Sequence, residues 1–148
     1  MTAEEMWRKY CQENNINHQD YQVWSFGVEA DQLAELVKSG HKTATSSLYQ
    51  LYALEKEALP QVGDFSVILD GNNQAACIIQ NTQVYQRAYG KIDAGHAYKE
   101  GEDDRSLKAW YQAHDEIFTQ WLREVGLELT DSTPIWCEEF RCVYPLQP

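Results

Sequence analysis

The run FSVILDGNNQAACIIQ, from Phe65 to Gln80, decides the fold class. Two short runs rich in apolar residues, Phe65–Leu69 and Ala75–Gln80, flank Asp70-Gly71-Asn72-Asn73, the composition of a tight β-hairpin turn. Val62-Gly63-Asp64 reads as the turn that feeds the first strand, and Thr82–Tyr85 as an extension of the sheet. Further out, Tyr21–Phe26 is strand-like, and Cys137–Tyr144 alternates as a strand should.

Helical patterns interrupt these strands. Thr2 and Glu5 have capping-box spacing, and Met6, Trp7, Tyr10 and Cys11 share a face, which predicts an N-terminal helix over about 3–13. The stretch Asn14-Asn15-Ile16-Asn17-His18 breaks it. A second helix is predicted from Ala30 to Ser39, with Leu33, Leu36 and Val37 buried and Gly40 just past its end. A Thr/Ser-rich segment, Lys42–Ser47, follows, then a short amphipathic piece, Leu48–Leu59, stopped by Pro60. The clearest helix places Leu107, Trp110, Tyr111, His114, Ile117, Phe118, Trp121 and Leu122 on one stripe, with Asp103 or Asp104 to cap its start and Gly126 its end. Strands and helices mix without regular βαβ alternation, which favours an α+β fold or a small barrel over a doubly wound sheet.

The composition sets limits on function. The 148 residues fit one domain, and 43% apolar residues suffice for its core. With 12 Lys+Arg against 23 Asp+Glu, the net charge is −11, which argues against gripping nucleic acid mainly through phosphates or an anionic membrane through a basic patch. Cys11, Cys77, Cys137 and Cys142 are too few and too unevenly spaced for a disulfide framework or a CxxC zinc site. The N-terminus, MTAEEMW, has no signal-peptide character, and no apolar run reaches the ~18 residues of a membrane span, so a reduced cytoplasmic protein is expected.

No P-loop, GxGxxG, HExxH or GxSxG motif is present, and the four His residues are isolated in sequence, so neither metal nor cofactor is expected. His114 reads as a core-edge residue of the helical stripe, and Trp110 and Trp121 read as core packing; Trp7, Trp24 and Trp136 are unassigned, and one of them could line a pocket. The acidic loop Glu100–Asp104 reads first as a solvated turn and acidic helix start, with cation binding a weaker alternative. Lys42, directly after a helix end and followed by hydroxyls, reads either as a solvated charge or as a desolvated Lys able to take a proton from a Thr.

Gly40-x-Lys42-x-x-Thr45, then Val62-Gly63-Asp64, then Ala97-Tyr98-Lys99-Glu100-Gly101-Glu102-x-Asp104-x-Ser106-Leu107-x-x-Trp110-x-x-x-His114 resemble the ASCH domain family over nearly the whole chain. The resemblance implies one domain over residues 1–148 with an N-terminal helical extension, in a PUA-like fold: an α+β small β-barrel surrounded by helices. It further implies an amide hydrolase acting on a modified pyrimidine nucleoside such as N(4)-acetylcytidine. Thr45 would be the nucleophile, Lys42 its base and Glu100 the group that polarises or protonates the amide. Thr43, Ser46 and Ser47 are alternative nucleophiles. Substrate contacts would come from Thr43, Trp24 and Tyr98, the aromatics sandwiching the base, and backbone N–H groups would hold the oxyanion. The alternatives are a non-catalytic module for RNA or a modified nucleotide and, third, a ribonuclease. The net charge favours a small nucleoside ligand over a long RNA, with no membrane partner.

Overall fold

The computed structural model describes residues 1–17 and 20–146. Among these, five helices and five strands follow in the order α1 (Ala3–Asn14), β1 (Tyr21–Ser25), α2 (Ala30–Lys38), β2 (Ala44–Leu48), α3 (Tyr49–Leu54), β3 (Phe65–Leu69), β4 (Ala75–Ala88), α4 (Ala94–Glu100), α5 (Leu107–Glu124) and β5 (Pro134–Tyr144), with a 3-10 turn at Tyr89–Lys91. The strands hydrogen-bond in the order β1-β3-β4-β5-β2. β1 is parallel to β3, and the β3–β4 and β2–β5 pairs are antiparallel, so the sheet is mixed and the fold α+β, as the sequence predicts.

The chain forms two compact units. The first comprises residues 1–43, 61–83 and 140–148. In it the capping box of α1 forms as predicted, the Glu5 N–H donating to Thr2 Oγ1 at 3.1 Å, and Asn15 ends the helix in the left-handed conformation. His18, the last residue of the predicted break, lies outside the described residues. Met6, Trp7 and Tyr10 pack on Phe65, Val67 and Ile78. Leu33, Ala34 and Val37 of α2 pack with Ile68, Cys77, Ile79 and Phe140, Leu36 only half-buried beside them. Gly40 follows at φ +82°, which an L side chain adopts only with strain.

The second unit comprises residues 44–60 and 84–139. Its core joins Leu48, Tyr89, Ile92, Ala97, Trp110, Phe118, Leu122, Ile135 and Cys137. The α5 stripe is largely as predicted, but Trp121 is 38% exposed and only rims this core. Residues 44–48 of the Thr/Ser-rich segment form a strand, because Ala44 and Leu48 bury their side chains and the β5 backbone is available for pairing. Two further expectations are corrected here. Glu100 is not a loop residue but the last residue of α4, which Asp93 caps and Gly101 ends at φ 72°. The cap of α5 is Ser106, whose Oγ accepts the Ala109 N–H at 3.0 Å; Asp104 Oδ1 instead accepts the Ser106 N–H.

Phe118 is almost fully enclosed, ringed by Tyr89, Trp110, His114 and Trp121. Phe118→Ala should therefore cost about 3–5 kcal/mol, measured as a lower chemical-denaturation midpoint. A change below about 1 kcal/mol would show that this core does not hold the second unit.

Candidate active site

β2 has two chemically distinct faces. Register with β5 sets Ala44 opposite Glu139, Ser46 opposite Cys137 and Leu48 opposite Ile135, and strand alternation puts these six residues on one face. Thr45 and Ser47, opposite Glu138 and Trp136, belong to the other. On that second face Ser47 Oγ lies 2.8 Å from the Tyr52 hydroxyl, and Tyr49 packs on Trp136.

α4 lies against the first face. It is seven residues long, started by Asp93, whose carboxylate accepts the His96 N–H at 2.9 Å, and stopped by Gly101. Within it His96 and Glu100 are four residues apart and so project from the same side. Both are almost fully buried. Their side chains meet Ser46 in a triangle: Ser46 Oγ is 2.6 Å from His96 Nε2 and 2.6 Å from Glu100 Oε2, and Nε2 and Oε2 are 2.9 Å apart. The Trp110 indole N–H donates to the same Oε2 at 2.5 Å. His114 Nδ1 bonds the Trp110 carbonyl at 2.7 Å and its ring stacks on the indole at 4.1 Å, as a core-edge histidine should, while its Nε2 lies 4.0 Å from Glu100 Oε1.

The outer contacts of His96 assign its protons. Lys99 Nζ donates to Glu139 Oε1 at 3.0 Å, and the Tyr85 hydroxyl donates to Glu139 Oε2 at 2.9 Å. Burial raises the Glu139 carboxyl, but these two hydrogen bonds outweigh it and hold the group below its ordinary range. Burial first, then the hydrogen bond to Glu139 and its charge, push the Tyr85 phenol up, so it remains a donor. Having given its only proton to Glu139, Tyr85 accepts from His96 Nδ1–H across 3.2 Å. Nε2 therefore faces Ser46 and Glu100, and the Nε2–Oε2 contact is a hydrogen bond only with a proton between the two atoms. Beside Ser46, the Cys137 thiol is pushed up to about 12, by burial and then by the charge of Glu100, and is a neutral neighbour. No buried side-chain nitrogen or oxygen lacks a hydrogen bond among the described residues.

The residues singled out from sequence are placed as follows. Lys42 is 1% exposed, in the first unit; its Nζ lies 5.3 Å from the Phe26 ring, itself in edge contact with Trp24 at 5.0 Å. The structure thus brings Lys42, Phe26 and Trp24 together. Thr43 is half-buried, and its carbonyl accepts the Phe140 N–H at 2.9 Å. Glu100 is 1% exposed, and the hydroxyl that contacts it is that of Ser46, not Thr45. Tyr98 lies outside the buried triangle: it is 57% exposed, with the Arg105 guanidinium 3.6 Å from its ring centre. Sequence reading passed over His96, Tyr85 and Glu139. The one available signal was His96-x-x-x-Glu100 directly before Gly101, a helical spacing with a stop. Among the described residues no three His, Cys, Asp or Glu side chains converge as metal ligands, and no helix is long and apolar enough to cross a membrane.

With this geometry in hand, comparison with known proteins gives the class. The ASCH domain family model matches residues 22–144, and the chain belongs to that family. Its structure is similar to that of an ASCH domain from Lactobacillus crispatus JV V101, with TM-score 0.85 and 28% identity over 95% of this chain and 93% of the other. It is also similar to a protein from Enterococcus faecalis V583, with TM-score 0.86 and 31% identity over 95% and 86% of the two chains. An ASCH protein from Zymomonas mobilis shares the fold alone, at TM-score 0.51 and 13% identity over 83% and 70%. No curated protein matches the chain. The fold is thus the PUA-like α+β fold of ASCH domains, as the sequence motifs imply.

The hydrogen bonds to Glu139 have a consequence for stability. Its pKa is below the ordinary 4.5 in the folded state, so its contribution is complete above that value and is lost as pH falls through the lower folded one. The stability advantage of the parent protein over Glu139→Gln, from urea midpoints, should shrink steadily as pH falls from about 5 to 3. An advantage that stays constant over that range would contradict the depressed carboxyl.

Proposed function

We propose that this ASCH protein is a small-molecule amide hydrolase acting on a modified pyrimidine nucleoside of the N(4)-acetylcytidine type. The observation that carries the reading is Glu100: a carboxylate buried in the second unit with a serine hydroxyl, an imidazole nitrogen and an indole N–H all within 2.9 Å of one oxygen. Such a group is enclosed as a general acid or base is, because desolvation and directed donors control when its proton moves. The burial of Lys42 at its motif position gives second support, since a Lys serving only as a solvated helix-end charge would be exposed.

In this reading a hydroxyl of β2 attacks the acyl carbonyl and Glu100 protonates the departing amine nitrogen; the resemblance gives the attacking role to Thr45, with Lys42 to take and return its proton, although strand alternation sets Thr45 on the face away from Glu100. Thr43, Trp24 and Tyr98 are proposed to contact the substrate. The net charge of −11 is compatible with a single nucleoside, which needs no extended basic surface. A second reading, a non-catalytic module for RNA or a modified nucleotide, draws on the exposed Tyr98 ring with Arg105 against it, a pair suited to base stacking.

Turnover of N(4)-acetylcytidine to cytidine and acetate, followed by chromatography, separates the two. The hydrolase reading expects Glu100→Gln and Lys42→Ala each to lower kcat/KM by about 10²-fold or more. No turnover by the parent protein, with binding of an RNA oligomer that weakens steeply with salt, would favour the second reading instead.

A further inference from the structure

The hydroxyl on which acid–base groups converge is Ser46, not the motif threonine. We propose that Ser46 is the nucleophile of this site, with the His96–Glu100 pair as its acid–base partner and Tyr85, backed by Glu139, as the positioning residue that orients His96.

Three observations carry this. First, Ser46 Oγ is 2.6 Å from both Nε2 and Oε2, within direct proton-transfer range of each, whereas β2 alternation assigns Thr45 to the opposite face. Second, the imidazole is held on its far side by the chain Lys99–Glu139–Tyr85, so Nε2 is aimed at the hydroxyl rather than turned away. The carboxylate that receives the Ser46 proton is thus oriented by an imidazole that is itself held in place, and a nucleophile, its base and a third group that orients the base is the arrangement that activates a serine. Third, Ser46 is only half-buried although His96 and Glu100 are almost wholly buried. Ser46 is thus the most accessible residue of the triangle, as one that must meet substrate has to be.

The chemistry balances without a cofactor. Ser46 Oγ bonds to the acyl carbon while its proton passes to Glu100 Oε2. The C–N bond then breaks as that proton is delivered to the amine, which leaves. Water attacks the resulting ester, one water proton returns to Ser46 Oγ, and the carboxylic acid departs. The substrate class is an acyl amide or ester. In naming the amide of a nucleoside the inference rests on the proposed function; in naming the reactive hydroxyl it does not.

The test is covalent labelling of the parent protein by a fluorophosphonate, which phosphonylates an activated serine with loss of fluoride, followed by peptide mapping in a mass spectrometer. The adduct is expected on Ser46. It should be absent from Ser46→Ala and at least tenfold slower to form in His96→Gln. Tyr85→Phe should move the pH profile of labelling, because Nδ1–H loses its acceptor. Ser47→Ala, whose hydroxyl faces Tyr52 instead, should label at the parental rate. An adduct on Thr45, Thr43 or Ser47, or no adduct at all, overturns the inference, and labelling the parent protein is enough to show either. Labelling of Ser46 without turnover of N(4)-acetylcytidine would uphold the nucleophile and reject the proposed substrate. Turnover with the label elsewhere would do the reverse.

Discussion

The contact among Ser46 Oγ, His96 Nε2 and Glu100 Oε2 is the constraint around which the second unit is arranged. A carboxylate and an imidazole removed from water are costly unless each hydrogen-bonding position is met. Here they are met from every side: by the serine of β2, by the indole of α5 and, through Tyr85 of β4, by Glu139 of β5. Removing one partner from such a cluster typically destabilises by about 3–5 kcal/mol. An apolar cluster would fill the same space without these requirements.

The local devices that hold the triangle are short-range. α4 spans two turns, too few to be stable as an isolated helix. Asp93 fixes its first turn through the His96 N–H, and Gly101, in the left-handed conformation, ends it directly after Glu100. His96 and Glu100 thus form an i, i+4 pair held between both caps. Trp110 serves twice: its ring packs against Tyr89 and Phe118, and its N–H donates to the carboxylate. Its packing and its polar role are therefore not separable by mutation to another apolar residue.

Much of this architecture was legible in the sequence. The β3–β4 hairpin, the α1 capping box, the end of α2 at Gly40 and the apolar stripe of α5 all depend on neighbours a few residues apart, which pattern and spacing report. The strand at Ala44–Leu48 was not legible, because Ala-Thr-Ser-Ser-Leu has weak strand character and pairs with β5 about ninety residues later. In the site, Glu100 was visible through its family motif. His96 and Tyr85 were not, since nothing local marks a histidine whose partners lie on β2, β4 and the far end of its own helix. Which of Thr45 and Ser46 shares a face with Glu100 was also beyond the sequence: adjacent hydroxyls differ only in which face of the strand they occupy.

The acidic surface and the buried triangle suit one another. A net charge of −11 weakens long-range attraction to phosphate backbones, and the proposed reaction at one enclosed carboxylate–imidazole pair requires none. All of this depends on where the protons of His96 sit. Nitrogen-15 NMR of the His96 imidazole at neutral pH measures that directly. A protonated Nδ1, hydrogen-bonded to Tyr85, is expected, with Nε2 coupled to the proton it shares with Glu100. A bare Nδ1 beside an Nε2 that alone carries the proton would contradict it.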